Sequence, residues 1–182
     1  MHRKSCIPLL LAVLLLLAPV SALAANGGVY ADFSTTSLSS SGSPRFNGGT
    51  LGGYAEGNLK GSFDFLNLGG DARFSIEHAN QSGVSENYDT FMVGPEISFK
   101  THITPLRPYA EFLFGVAHVS ANASLYGITM SNSQNNGAVD YIGGADVTLM
   151  PHLAWRLLEI SYAKFNGISS TTISTGLVLR LP

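Results

Sequence analysis

The chain has 182 residues, 10 Lys+Arg against 12 Asp+Glu, 45% apolar residues, 20 glycines and only 12% charged residues. So small a charged fraction, with a positive mean hydropathy, excludes a disordered charged tail, a coiled coil and an ordinary soluble surface. The near-neutral balance offers nucleic acid no electrostatic footing, and the length suits one domain.

The first element is a targeting segment. Arg3 and Lys4 make a basic start, residues 7–18 are almost unbroken apolar sequence, and Ala22-Leu23-Ala24 supplies the small residues of a cleavage site. This order predicts a secretory signal peptide over 1–24, with the folded domain over 25–182. The apolar run falls short of about 20 residues and is flanked by Pro8 and Pro19, which argues against a retained anchor. Cys6 is the only cysteine and lies within the leader. The exported chain therefore has no disulfide and must be held by packing or by a membrane.

Eight period-2 segments follow. Residues 28–38 and 49–59 are the least regular, being rich in Gly, Ser and Thr. Over 64–77 the reading is clear: Leu66, Leu68, Ala72, Phe74 and Ile76 alternate with Asn67, Asp71, Arg73, Ser75 and Glu77. Residues 89–99 set Phe91, Val93, Ile97 and Phe99 against Thr90, Met92, Glu96 and Ser98, and 107–120 set Phe112, Phe114 and Val116 against Arg107, Tyr109 and Glu111. Val139, Tyr141, Val147 and Leu149 then face away from Asp140, Gly144 and Asp146. In 154–165 the alternation has a fault: unbroken parity from an inward Arg156 would send Glu159 to the apolar side and Leu158 and Ile160 to the polar side. One extra residue at Leu157-Leu158 repairs all three, which predicts a β-bulge there. Ile173, Leu177, Leu179 and Leu181 close the series against Ser174, Gly176 and Arg180. The connections are read as alternately long and polar (39–47, 78–87, 122–137) and short (60–62, 100–106, 150–153).

Strands of about ten residues, even in number, with one apolar and one charged face, describe an all-β, eight-stranded antiparallel up-and-down transmembrane β-barrel. With no apolar run of membrane-helix length after the leader, a closed barrel is the way left to span a bilayer. The inward charges are Glu56, Asp71, Arg73, Glu77, Glu96, Arg107, Glu111, Asp146, Arg156, Glu159 and Arg180. They read as ion pairs filling a narrow lumen, not as catalytic carboxylates. Phe33, Phe91, Phe99, Trp155 and Tyr162 fall on the outer face near strand ends, as interfacial aromatics do. His78, His102 and His152 lack metal-ligand spacing, and no sequence feature calls for a metal or cofactor.

Three short stretches carry a family resemblance. Gly176-Leu177-Val178-Leu179-Arg180-Leu181 resembles the C-terminal insertion signal of outer-membrane barrels, with Gly176, Leu179 and Leu181 at its key positions and Leu181 standing where that signal commonly has Phe. Gly143 to Arg156 is similar to the penultimate hairpin of the OmpA/OmpX-type small outer-membrane β-barrel family, and Arg107-Pro108-Tyr109-Ala110 to the opening of its fifth strand. The resemblance implies a monomeric barrel of the bacterial outer membrane, placed there by the barrel-insertion machinery, in contact with outer-membrane lipid and lipopolysaccharide. It names no activity.

Three function classes stay open. The first is a structural or surface-interaction barrel working through its outer loops, whose partner the sequence does not identify. The second is a small cation-preferring porin. The third is an enzyme: His118-Val119-Ser120 places a base and a nucleophile on one strand face and resembles the His-x-Ser motif of outer-membrane lipid A deacylases. The acid on the next strand would be Asp140, which parity puts on the opposite face.

Overall fold

The computed structural model describes residues 26–39, 44–59, 63–81, 84–101, 105–125 and 128–181, and within these the side chains other than those of 81 and 121–132. The expected leader, 1–24, lies outside the described residues. Eight strands follow one another: β1 (Asn26–Leu38), β2 (Arg45–Asn58), β3 (Leu66–Gln81), β4 (Val84–Phe99), β5 (Leu106–Leu125), β6 (Ile128–Met150), β7 (Leu153–Phe165) and β8 (Ile168–Leu181). Every neighbour pairs antiparallel, and β1 pairs with β8, so the sheet closes into a barrel.

Alternation decides which side chains enter. Even-numbered Tyr30, Asp32, Ser34 and Thr36 of β1 are buried, whereas Val29 and Phe33 are exposed. The same two-residue beat exposes Leu51, Phe74, Phe112, Phe114, Tyr141, Ile160, Leu177 and Leu179 to the outside. An apolar exterior around a charged interior inverts the soluble pattern, as a bilayer requires.

The β7 fault resolves as the alternation requires. Arg156 pairs with Gly176 and Glu159 with Ser174, so Leu157 and Leu158 together oppose Thr175. Against β6 the register likewise slips between Ala145 and Asp146. Arg156 and Glu159 are 1% and 2% exposed, while both leucines face outward. Thr175 Oγ1 donates to the Arg156 carbonyl at 2.8 Å, serving a backbone acceptor that the bulge takes out of the ladder.

The connections differ from the sequence expectation. The stretches 78–87 and 122–137, read as long polar loops, are mostly strand: β3 and β4 pair to Gln81↔Val84, and β5 and β6 to Leu125↔Ile128. The β7–β8 connection is the two-residue turn Asn166-Gly167, both at positive φ, a hairpin turn that matches strand twist. Polar Ser/Asn/Gly sequence suggested loop because it lacks an apolar face; a ribbon standing beyond the bilayer needs none. At 20 and 23 residues, β5 and β6 far exceed the roughly 9 to 11 that cross a membrane. Asn26, Leu181 and the described connection residues 59, 63–65, 100, 101, 105, 151 and 152 lie at the opposite end. We call the two ends the ribbon end and the terminal end.

Candidate functional site

The lumen is built in layers around three arginines. Nearest the terminal end, Arg107 meets Glu96 at 2.5 Å, Glu56 at 2.7 Å and Asp146 at 3.2 Å, with Tyr54 beneath it, ring centroid 4.6 Å away. Next, Arg156 reaches Asp32 at 2.9 Å, Glu159 at 3.1 Å and Asp146 at 3.2 Å, and lies 3.9 Å over the Tyr30 ring. Arg73 pairs with Glu159 at 2.9 Å, with Asp71 at 3.0 Å and with Glu111. The hydroxyls of Tyr30 and Tyr109 donate to Asp71 and Glu159 at 2.8 Å and 2.7 Å. Glycine makes this stacking possible: a Cβ on Gly52 would sit 2.3 Å from the Tyr30 ring, and one on Gly144 2.5 Å from that of Tyr109. Each ring packs against the glycine of a neighbouring strand and has two guanidiniums within 6 Å of its centroid.

Oxygens of Asp71, Glu96 and Glu111 lie within 4.8 Å of one another, a spacing open to a metal ion. Each carboxylate already receives a guanidinium, from Arg73 or Arg107. The trio therefore belongs to a charge-assisted hydrogen-bond network.

Two buried lumen acids are absent from the inward charges expected from sequence, although the parity of β6 does turn Asp140 inward. Asp32 is 5% exposed and bound to Arg156; its strand is so rich in small residues that only the outward Val29 and Phe33 betray its parity. Asp140 is buried against Ser161, whose hydroxyl donates to it at 3.0 Å. Glu77 accepts from Ser34 at 2.6 Å. Arg180 differs from the other inward arginines, being half-buried at the terminal mouth with Nη1 donating to Thr148 at 2.8 Å.

Above the ion pairs the charged lumen gives way to apolar side chains interleaved with buried Thr36 and Ser170. A void of about 30 Å³ lined by Thr50, Ser75, Glu77, Asp140 and Ser161 separates the network from an apolar plug. The plug contains Phe46, Tyr88, Met92, Leu113, Ile142 and Phe165; Tyr88 stacks on Phe165 at 5.6 Å and meets Phe46 edge-on at 6.0 Å. Among the described residues, ion pairs fill the lumen below this void and aromatics fill it above.

Outside, the apolar belt gives way to a polar rim along aligned cross-strand neighbours. Thr35 donates to Asn47 Oδ1 at 2.9 Å, His78 Nδ1 lies 2.6 Å from Asn87 Oδ1, and His118 Nδ1 lies 2.5 Å from Asn135 Oδ1. Ser120 accepts from Asn87 Nδ2 at 3.4 Å. Among the described residues no hydrogen bond joins His118 to Ser120. Asp140 faces the lumen, whereas the acid flanking His118 is Asp89 of β4. Since His78 makes the same Nδ1-to-Asn contact, the His118 pair is one rung of a rim ladder. Phe33, Phe99, Trp155 and Tyr162 are exposed on the outer face, with Phe91 half-buried there. Leu179 and Leu181 are half exposed beside the terminal mouth, and Gly176 packs on Asp32, where a Cβ would lie 2.2 Å from Oδ1.

At the ribbon end β6 outruns its neighbour. Its pairing with β7 begins at Ala138↔Phe165, while its pairing with β5 continues to Ile128. Among the described residues no strand covers the β7 side of 128–137. A cleft of about 370 Å³ lined by Gly137, Tyr162, Lys164, Phe165 and the β7–β8 turn begins where this edge meets the barrel.

The sequence matches the family described as "Outer membrane protein beta-barrel domain" over residues 9–180. No curated protein matches it. Among solved structures it is similar to the attachment invasion locus protein Ail of Yersinia pestis (17% identity, 86% of this chain and 98% of that one, TM-score 0.60). It is also similar to Neisserial surface protein A (18%, 84% and 96%, TM-score 0.57) and to a major outer membrane protein of Thermus thermophilus (13%, 86% and 100%, TM-score 0.56). At these identities the likeness concerns the fold.

Proposed function

Because the chain belongs to the outer membrane protein beta-barrel domain family, we propose that it is a surface-interaction barrel of the bacterial outer membrane whose recognition element is the ribbon of β5 and β6. It is exported by a leader cleaved after Ala24, delivered to the insertion machinery by Gly176, Leu179 and Leu181, and works as a monomer surrounded by lipid and lipopolysaccharide. Phe33, Phe91, Phe99, Trp155 and Tyr162 anchor it at the two interfaces. Glu56, Asp71, Arg73, Glu77, Glu96, Arg107, Glu111, Asp146, Arg156, Glu159 and Arg180 serve the interior as structural charges. The end carrying Asn26 and Leu181 faces the periplasm, and the ribbon faces outward.

The observation that carries this reading is the uncovered edge of β6. Residues 128–137, Ile-Thr-Met-Ser-Asn-Ser-Gln-Asn-Asn-Gly, contain no charge and no proline, the devices that normally protect a strand edge. An extended peptide pairing there gains main-chain hydrogen bonds and can run into the cleft beside Lys164 and Phe165. The test pans a phage-displayed peptide library on the barrel in nanodiscs, with Asn132→Pro and Ser133→Pro as paired variants. One of the two removes an outward N–H whichever way the ladder alternates. Captured peptides are expected to slow amide exchange over 128–137 and to be released by at least one proline. Equal capture by both variants, or protection elsewhere, would refute the reading.

A further inference from the structure

The terminal end of the barrel opens into a cup of about 500 Å³ whose lining includes Tyr54, Glu56, Asn67, Lys100, Arg107 and Arg180. Its cations and acids are unevenly employed. Arg73, Arg107 and Arg156 each contact three carboxylates; among the described residues Arg180 contacts none. Its Nη1 is held by Thr148, while Nε and Nη2 are buried and lack a partner. Those two atoms form the side-on edge of the guanidinium, whose parallel N–H groups grip paired oxygens of an oxyanion. Glu56, the acid lining the cup, is occupied by Arg107 at 2.7 Å and Ser98 at 2.6 Å. Arg107, itself 9% exposed, keeps an unpaired Nε, and among the described residues the Lys100 ammonium bonds the neutral Asn58 and no acid.

From this imbalance we infer that the periplasmic cup is an oxyanion site in which Arg180 holds a phosphate group through Nε and Nη2. Thr148 fixes the guanidinium plane from behind, leaving the bidentate edge for the ligand. The volume admits a phosphate carrying a substituent as well as the free ion. Lys100 and His152, both on the lining, stand at the mouth as further donors. Glu56 and its neighbours repel an anion from the Arg107 side, which confines the site to the Arg180 wall. Leu179 and Leu181, flanking Arg180 in sequence, face outward and are half exposed, so the phosphate has two possible sources: a soluble periplasmic anion or the headgroup of an inner-leaflet phospholipid. The inference does not depend on the ribbon.

The test follows the Arg180 Nε–Hε NMR resonance of the protein in maltoside micelles, which contain no phosphate. One arm titrates inorganic phosphate against chloride at constant ionic strength; the other adds short-chain phosphatidylglycerol. A saturable shift in the first arm identifies a free anion, and one in the second alone identifies a lipid. Arg180→Lys, which keeps the charge and loses the fork, is expected to weaken binding at least tenfold while the heat-dependent gel shift of the folded barrel persists. Should that variant fail to assemble, the wild-type titrations decide by themselves. An unmoved resonance in both arms, an equal response to chloride, or unchanged affinity in Arg180→Lys would overturn the inference.

Discussion

Replacing Arg156 by Ala tests whether the ion-pair network is structural. The side chain is 1% exposed and contacts Asp32, Asp146 and Glu159. The three acids are not left equally stranded. Asp146 keeps Arg107 at 3.2 Å, and Glu159 keeps Arg73 at 2.9 Å and Tyr109 at 2.7 Å. Asp32 loses its one ion-pair partner, and its Oδ1 has no hydrogen-bond partner even in the intact network. Removing one member of a buried pair costs about 3–5 kcal/mol, because a charge stays buried without compensation. Loss of the stacking on Tyr30 adds roughly 1 kcal/mol. Most of the penalty should therefore be traceable to Asp32, and Asp32→Asn added to Arg156→Ala should recover more than about 1 kcal/mol as a coupling energy. Reversible urea unfolding of the four proteins of this double-mutant cycle in liposomes, followed by tryptophan fluorescence of Trp155, measures it. A loss below about 1 kcal/mol for Arg156→Ala, or additive single effects, would refute the view that Arg156 is there to neutralise Asp32.

Three other outcomes are expected. Deleting Leu157 removes the extra residue of the bulge, turns either Arg156 or Glu159 toward lipid and blocks assembly, whereas Thr175→Val, which strips the Arg156 carbonyl of its donor, costs only about 1–3 kcal/mol; folding yield by heat-shifted gel migration separates the two. In planar bilayers the pure protein is expected to show no sustained conductance, and any leak opened by Phe46→Ala with Phe165→Ala is expected to favour cations, because nine buried carboxylates face three buried guanidiniums and Arg180. A stable anion-selective channel would contradict this. His118→Ala and Ser120→Ala should leave the acyl pattern of host lipid A as the wild type leaves it; mass spectrometry showing an acyl chain lost only with the wild type would make the pair catalytic.

Much of the barrel was legible one residue at a time. Strand number, closure, the facing of Leu66 to Glu77 and the bulge at Leu157-Leu158 all follow from period-2 alternation. Each side chain of a membrane barrel meets either hydrocarbon or lumen, and a misplaced charge is costly in either direction. Where both sides of a strand meet water that constraint vanishes, and 78–87 and 122–137 consequently looked like loops although they are ribbon. Asp32 was hidden for a related reason, since β1 surrounds it with Ser, Thr and Gly that fit either face. Which acid meets which arginine, where the charged lumen yields to the Phe46, Tyr88 and Phe165 plug, and that Arg180 keeps an unpaired edge were decided by tertiary structure alone. Those facts depend on barrel stagger and diameter, which bring residues as distant as Asp32 and Arg156 within 2.9 Å. No local pattern along one strand encodes the offset between strands that face each other across a lumen.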